Sequence, residues 1–207
     1  MKITDNIYML ESTKGSYVYL IQDKENVLID TGFSFRGKAL LRELQALGVA
    51  PESIKRILIT HHDLDHIGNA CMLQSLTGAQ LWAHKDDIAY IKGEKQRYGF
   101  KKHLSRIFRV KKPKEIKAFT GDTVAGVTVI ETPGHTPGHV CFLFGGALFA
   151  GDLVENKKGT VIPYPAPWTL DSAALEDSIK RVEEYPFEWV CPAHGLPFKR
   201  TGKQICG

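Results

Sequence analysis

The stretch Thr60-His61-His62-Asp63-Leu64-Asp65-His66-Ile67-Gly68 places three imidazoles and two carboxylates within six consecutive residues of this chain. It follows the apolar run Ile57-Leu58-Ile59, which is typical of a buried strand, and a helical pattern follows it. Alternate side chains of an extended segment point to the same side, so we expect His61, Asp63 and Asp65 to share one side. Imidazole and carboxylate groups together suit zinc, iron or manganese, and the stretch therefore predicts a metal site.

A simpler interpretation is a polar surface loop in which Asp65 caps the following helix. This interpretation accounts for Asp65 but gives no role to three histidines beside two aspartates. His66 then returns to the same region at the beginning of the helix. We therefore favour the metal site.

Length and composition indicate one globular domain. The chain has 207 residues, enough for a sizeable core, and 43% of them are hydrophobic, as in ordinary folded proteins. The N-terminal residues lack the basic and then apolar pattern of a signal peptide, and no apolar run has the length of a membrane span. No Cys-x-x-Cys spacing occurs, so we expect reduced thiols in a cytoplasmic protein without a membrane partner. The cysteines are Cys71, Cys141, Cys191 and Cys206.

The positive charge of the chain is concentrated in one segment. Between Lys92 and Lys117, eleven Lys and Arg residues stand against two acids, whereas the whole chain has a net charge of only +4. We expect a basic helical insertion at about 92–117 within a single domain spanning residues 1–207. A solvated helical excursion is its simplest interpretation. It could also cover a site as a lid, form the contact of a homodimer, or guide an anionic substrate.

Periodicity predicts the main elements. A β-meander is expected over residues 1–31, helices over about 35–47 and 66–76, and a strand over Arg56–Thr60. A further helix is expected after Asp171, which has the chemistry of an N-cap. The order of strands and helices indicates two similar halves.

Four further apolar runs are each followed by a short segment that contains polar residues. Loops just beyond strands commonly carry functional side chains on a rigid frame. Two Pro-Gly pairs hold His135 and His139 in a tight loop. His84 also follows a strand, but a lone histidine there is more often a structural hydrogen-bonding residue, and we leave it out of the site. The segments are Asp30-Thr31-Gly32, Thr132–His139, Gly151-Asp152 and Ala193-His194-Gly195.

These five motifs, in this order, resemble those of the metallo-β-lactamase superfamily, whose signature is T-H-x-H-x-D-H. The resemblance extends over nearly the whole chain. It implies an α+β fold, a four-layer αβ/βα sandwich. The chain departs from the family at one position, because Asp63 stands where the family usually has histidine.

The resemblance also implies two metal sites and the role of each ligand. Metal 1 would be held by His61, Asp63 and His135, and metal 2 by Asp65, His66 and His194. Asp152 would bridge the two ions, Asp65 would also be catalytic by orienting a hydroxide and passing on its proton, and Asp30 would lie behind the ligands. The cofactors would be two divalent ions, with zinc preferred and iron or manganese as alternatives. His62 is the rival of Asp63, but backbone alternation turns it away, and His139 is the rival of His135.

The function implied by the resemblance is that of a dinuclear metal-dependent hydrolase. A metal-bound hydroxide would cleave an ester-like bond of a small-molecule substrate: a carboxylic ester, lactone, thioester or phosphodiester. The alternative is a di-iron redox protein of flavodiiron type without its flavodoxin domain. We expect no nucleic-acid partner, since nucleases of the superfamily usually carry a further domain. The side chains that select the substrate are expected in 92–117 and 155–169, which match no motif.

Overall fold

The computed structural model describes residues 1–99, 101 and 110–206, and two β-sheets form its centre. The first sheet has the strand order β1-β2-β3-β4-β5-β6. Its first three strands are antiparallel, as short turns between them require, and the remaining strands are parallel. The strands are β1 Ile7–Leu10, β2 Val18–Gln22, β3 Asn26–Ile29, β4 Ile54–Leu58, β5 Gln80–Ala83 and β6 Lys117–Ala118.

The second sheet has seven strands and the order β13-β12-β10-β9-β8-β7, with β11 paired to β10. The β9–β10 hairpin turns at Gly145 and Gly146, both of which have positive φ. The strands are β7 Thr123–Val124, β8 Val127–Glu131, β9 Val140–Phe144, β10 Ala147–Lys157, β11 Thr160–Pro163, β12 Trp189–His194 and β13 Phe198–Lys199.

Helices cover the outer faces of both sheets. Leu40, Leu44 and Leu73 from the helices pack on the first sheet, and Leu175 and Ile179 pack on the second. A separate apolar cluster lies between the sheets, so the layers run helix, sheet, sheet, helix. This arrangement is the predicted α+β sandwich. The helices of the described residues are α1 Gly37–Ala46, α2 Leu64–Ile67, α3 Ala70–Thr77, α4 Lys85–Ile91 and α5 Ser172–Glu183.

Hydrogen bonds join the first sheet and the segments at its edge to the second sheet. The Tyr19 hydroxyl donates to the carbonyl oxygen of Pro192 at 2.6 Å, and the Tyr17 amide donates to that of Ala193 at 2.9 Å. The Val140 amide donates to the carbonyl oxygen of Thr60 at 2.9 Å. Both acceptor segments lead directly into predicted site residues.

Several predicted boundaries differ from the structure. The helix expected over 66–76 is two helices, α2 and α3, because the chain at Gly68 passes so close to the loop after β3 that a Cβ there would lie 2.3 Å from the Gly32 oxygen. The N-cap of α2 is Asp63 rather than Asp65. The strand expected over Arg56–Thr60 ends at Leu58, because Thr60 turns toward Asp30.

The other expectations have mixed outcomes. The β-meander and the helix after Asp171 are confirmed, and the Asp171 side chain accepts a hydrogen bond from the Ala174 amide. Within the expected basic helical insertion, residue 101 is helical and residues 92–99 and 110–116 are not, and residues 100 and 102–109 lie outside the described residues. All four cysteines are free. Within the described residues, no helix has the length and apolar character needed to cross a membrane.

Candidate metal centre

The seven predicted ligands come together at one edge of the two sheets. The first four follow β4 and enter α2, whereas His135 lies in the loop between β8 and β9. Asp152 lies within β10, where the pairing with β12 is irregular, and His194 is the last residue of β12. Their donor atoms form two groups, and within each group all atoms lie within 4.8 Å of one another. The first group is His61, Asp63, His135 and Asp152, and the second is Asp65, His66 and His194.

Asp152 faces both groups with different oxygens. Its Oδ2 lies 3.3 Å from Nε2 of His135 and 3.7 Å from Nε2 of His61. Its Oδ1 lies 3.2 Å from Nε2 of His66 and 3.3 Å from Nε2 of His194. Such a carboxylate can bind one cation with each oxygen.

The donor set fits a pair of metal ions. Several atoms that point into it are buried without a hydrogen-bond partner, including Nε2 of His61, His66 and His194 and Oδ1 of Asp152. Unpartnered buried polar atoms are costly, and a cation would satisfy them. Donors that share a tetrahedral zinc ion at about 2.1 Å lie about 3.4 Å apart. Oδ2 of Asp65 lies 3.4 Å from Nε2 of His194, which agrees with that spacing.

A lysine side chain enters the first group. Nζ of Lys101 lies 2.6 Å from Oδ2 of Asp63 and 3.1 Å from Nε2 of His135. Oδ2 of Asp63 in turn lies 3.1 Å from Nε2 of His135. The positively charged Lys101 ammonium group therefore lies among the donor atoms of the first group.

The carboxylates of the site are held in their charged form. Burial alone would raise the pKa of the Asp63 carboxyl, but the hydrogen bond from His135, the nearby imidazole of His61 and the charge of Lys101 hold that pKa well below its usual range. Burial would likewise raise the pKa of Asp152, but the charges of the surrounding histidines, His194 first, hold it well below its usual range. Both groups are thus anionic ligands at neutral pH.

The histidines of the site differ in the direction in which their pKa values are shifted. Burial lowers the pKa of His61 far below its usual value, and the charge of His66 lowers it further. For His194, burial is outweighed by the charge of Asp152, which raises the pKa to about 10. The carboxylates of Asp30 and Asp152 likewise outweigh burial at His66 and raise its pKa well above the usual value. In the metal-free protein His66 and His194 therefore carry protons that a metal ion must displace.

Asp30 lies directly behind the ligands, where the resemblance implied. Its Oδ2 lies 2.7 Å from Nδ1 of His66, and its two oxygens accept hydrogen bonds from the amide and hydroxyl of Thr60 at 2.8 and 2.7 Å. A proton on Nδ1 leaves Nε2 of His66 free for a metal ion. Asp30 has φ 62°, a left-handed conformation that aspartate tolerates better than most residues.

The two rival histidines lie outside the donor groups. Nδ1 of His62 lies 2.9 Å from Oδ2 of Asp87, and its ring stacks on Tyr90. Nε2 of His139 accepts a hydrogen bond from the Asp152 amide at 3.1 Å, and burial and the charge of His135 lower the pKa of His139 to about 3. His139 therefore positions Asp152 as a neutral imidazole.

His84 takes part in structural contacts. Its Nε2 lies 3.1 Å from a carboxylate oxygen of Glu131. Its Nδ1 accepts a hydrogen bond from the Asp86 amide at the start of α4. His84 thus caps α4 and lies outside both donor groups, as the sequence indicated.

Asp87 supports two of the loops that carry predicted ligands, a role that no sequence pattern predicted. Its carboxylate accepts hydrogen bonds from the His62 amide at 2.8 Å, the Thr136 hydroxyl at 2.9 Å and the Gly138 amide at 2.9 Å. It therefore ties the loop of His61–His66 to the loop that holds His135. The available signal was weak, because an aspartate in the first turn of a helix is ordinary.

A cavity of about 280 Å³ opens in front of the donor groups. Asp63, Asp65 and His194 form its polar floor. Burial raises the pKa of the Tyr164 hydroxyl far above its usual value, and the nearby charge of Asp152 adds to this effect. The other wall residues include Phe33, Leu64, Arg97, Lys101, Val110 and Trp168. Residues from 92–117 and 155–169 thus line the cavity, as expected for a region that contacts substrate.

Comparison with known proteins identifies relatives of this chain. Residues 13–194 match the family model of the metallo-beta-lactamase superfamily. The probable metallo-hydrolase YybB of Bacillus subtilis (strain 168) is 28% identical over 186 residues, which cover 86% of this chain and 80% of the relative. A hydroxyacylglutathione hydrolase of Gloeobacter violaceus is 28% identical over 190 residues, 88% of this chain and 64% of that protein. The solved protein TTHA1623, in a di-iron-bound form, is 29% identical with a TM-score of 0.71 and covers 89% of each chain.

Proposed function

This chain belongs to the metallo-beta-lactamase superfamily and is a metal-dependent hydrolase, and from that premise we propose that it uses two metal ions to cleave a thioester or a related ester-like bond. The observation that carries this proposal is the position of Asp152, whose two oxygens face two separate donor groups. A mononuclear site would leave one of these groups, with its unpartnered imidazole nitrogens, without a cation.

The roles of the residues follow from the groups they occupy. His61, Asp63 and His135 would hold the first ion and His66 and His194 the second, with Asp65 in the second group and Asp152 between the ions. Two divalent ions there would polarise the substrate oxygen and lower the pKa of a water molecule toward about 7.

Asp65 is the candidate proton acceptor. It lines the cavity, and one of its oxygens lies 3.4 Å from Nε2 of His194. Its carboxylate would orient the attacking water and take its proton. Lys101 and Tyr164 line the same cavity, where they would exclude bulk water from the reacting bond.

The bond type is supported by the relatives and by the cavity. One relative is a hydroxyacylglutathione hydrolase, whose substrate carries an acyl group on the sulfur of glutathione. The cavity of about 280 Å³ is near the lower end of the range of roughly 300–1,000 Å³ found for small-molecule sites. A small acyl thioester fits these dimensions better than a polymer.

The identity of the metal is open to direct measurement. Asp63 gives the first donor group a carboxylate in addition to Asp152. This makes the group a harder ligand set and favours iron or manganese relative to a site with three histidines. A related protein has been solved in a di-iron-bound form. Zinc remains our first choice, since each group contains two imidazole donors.

The test combines metal analysis with a panel of substrates: thioesters, p-nitrophenyl esters, lactones and bis-phosphodiesters. We expect about two metal ions per chain, thioester hydrolysis that chelation abolishes, and recovery of activity on adding zinc, manganese or ferrous iron. The Asp152→Ala variant is the inactive control. A fully metal-loaded protein that hydrolyses none of these substrates contradicts the proposal. If that protein also contains iron with a visible charge-transfer band, the result supports the di-iron redox alternative, which requires an outside electron donor.

A further inference from the structure

Arg97 is a buried cation in the wall of the cavity. Its side chain is only 9% exposed, yet it lines the cavity with Asp63 and Asp65. One terminal nitrogen donates a hydrogen bond to the His62 carbonyl oxygen, and Nε is buried without a partner. Within the described residues it forms no ion pair, and the sequence contains no acidic residue among positions 100 and 102–109.

The buried guanidinium of Arg97 uses only part of its hydrogen-bonding capacity. Burial removes its hydration, and one bond to a carbonyl oxygen replaces only part of it. The guanidinium carries five N–H donors in a planar fork that matches the two oxygens of a carboxylate. Perturbed buried charges of this kind are concentrated where a ligand completes the site.

The neighbouring cation, Lys101, has a carboxylate partner in the metal-free protein. Nζ of Lys101 lies 2.6 Å from Oδ2 of Asp63, whereas Arg97 has no carboxylate partner among the described residues. The wall beside Arg97 includes the apolar side chains of Phe33, Leu64 and Val110. Among the described residues of the cavity wall, Arg97 therefore offers an unpaired positive charge beside an apolar surface and in front of the donor groups.

We propose that Arg97 binds a carboxylate of the substrate, so that the substrate class is a small thioester or ester with a carboxylate on a short apolar chain. This inference rests on the proposed function, because it assigns the reacting bond to the donor groups. The planar fork of one guanidinium matches the two oxygens and the single charge of a carboxylate.

The test compares two substrates that differ in one group. Mono-4-nitrophenyl glutarate carries a terminal carboxylate, and 4-nitrophenyl butyrate lacks it. The measured quantity is the ratio of their kcat/KM values in the metal-loaded enzyme. We expect the wild type to prefer the glutarate ester, and Arg97→Gln to lower this preference by about 30-fold or more, the usual size of the effect when one partner of a buried charge pair is removed.

Two further variants control this measurement. Arg97→Lys keeps the charge but loses the fork, so we expect it to recover part of the preference. Arg42→Gln removes an exposed guanidinium of α1, and we expect it to keep the wild-type ratio. A melting curve and a metal count for each variant establish that the ratios compare folded, loaded proteins. A ratio that is the same in wild type and in both Arg97 variants overturns the carboxylate site.

A binding measurement separates this inference from the proposed function. Pentanoate is titrated calorimetrically into metal-loaded wild type and Arg97→Gln, with inorganic phosphate as a second probe. Pentanoate binding that weakens in Arg97→Gln, in a protein that hydrolyses no ester, supports the anion site and contradicts the proposed function. Hydrolysis of both esters, together with pentanoate binding that is unchanged in Arg97→Gln, supports the proposed function and contradicts the anion site. Phosphate that binds more tightly than pentanoate in an Arg97-dependent way overturns the choice of a carboxylate.

Discussion

The ammonium nitrogen of Lys101 lies 2.6 Å from Oδ2 of Asp63, within the donor group proposed for the first metal ion. The same nitrogen lies 3.1 Å from Nε2 of His135, so it touches two of the donors that an ion would need. An ammonium and a divalent ion at such a short separation repel each other strongly in a buried site. Metal binding at the first site therefore requires Lys101 to move away from Asp63.

This relationship predicts that Lys101→Met binds the first metal ion more tightly than the wild type. Methionine keeps most of the side-chain volume and removes the charge. We expect a gain of about tenfold or more, equivalent to about 1.4 kcal/mol. Zinc titration followed by calorimetry measures both binding constants. Lys111→Met, which removes an exposed lysine of the same basic segment, serves as the control and should match the wild type. Equal zinc affinities in all three proteins would contradict the prediction.

Asp63 determines the charge of the first site. Two divalent ions and a hydroxide would have a net charge of +3, which the carboxylates of Asp63, Asp65 and Asp152 would neutralise. In Asp63→His one positive charge remains uncompensated and a softer donor replaces an oxygen. We therefore expect Asp63→His to shift the preference from manganese toward zinc, and Asp63→Ala to retain about one metal ion per chain. Elemental analysis after dialysis against equal zinc and manganese measures both effects. Two ions per chain in Asp63→Ala would exclude Asp63 as a ligand.

Asp152 and Asp30 should differ in how strongly they affect metal binding. Asp152→Ala removes the carboxylate that faces both groups, so we expect loss of metal and of activity together. Asp30→Asn tolerates the left-handed backbone but weakens the contact to Nδ1 of His66, and we expect metal affinity to fall about 10- to 100-fold. Competition with a chelator of known affinity gives both values. Full metal occupancy of Asp152→Ala after dialysis is the result that this assignment cannot accommodate.

Metal uptake should release protons. The pKa of His194 is raised to about 10 and that of His66 is also raised, so both imidazoles hold protons at neutral pH in the metal-free protein. A metal ion binds the neutral imidazole, so it must displace these protons, and its apparent affinity should rise with pH up to about pH 10. Calorimetric zinc titrations in two buffers of different ionisation enthalpy count the protons. A count of zero at pH 7 would rule out this protonation state.

Asp87 should contribute more to stability than its exposed neighbour. Asp87→Ala leaves the His62 amide, the Thr136 hydroxyl and the Gly138 amide without their acceptor. We expect a loss of about 3–5 kcal/mol in the free energy of unfolding, the usual cost of breaking a buried charged network. Asp86→Ala, at an exposed position, should change it by less than about 0.5 kcal/mol. Urea unfolding of the two variants measures the difference, and equal stabilities would show that the Asp87 network is dispensable.

Local signals in the sequence indicated two similar halves and marked the candidate site residues, because loops just beyond strands commonly carry functional side chains. The family resemblance added the four-layer sandwich. The T-H-x-H-x-D-H resemblance supplied the division into two groups, which spacing alone left open. Asp30 behind His66 was likewise implied by the resemblance and matches the observed contact.

The remaining features depend on tertiary contacts. The interruption at Gly68 arises because another loop passes against it, which helical periodicity does not reveal. In the sequence, Asp87 is an ordinary polar residue at the start of a helix, and Arg97 is one of several basic residues in its segment. Only the folded structure buries both of them beside the site. The position of Lys101 against Asp63 joins segments 38 residues apart, and no short-range pattern indicates such a pair.

The hydrogen bonds between the two sheets influence the spacing of the donor atoms in the candidate metal centre. Tyr19 and Tyr17 hold the strand that ends at His194, and Val140 holds the segment that leads into His61. Each donor group contains or borders residues of both sheets, so the distance between the sheets sets the distance between donors. The coupling is reciprocal, because ions that bind across this gap also resist its opening. We therefore expect changes in the packing deep between the sheets, such as at the edge contact of Tyr19 with Phe149, to alter metal affinity.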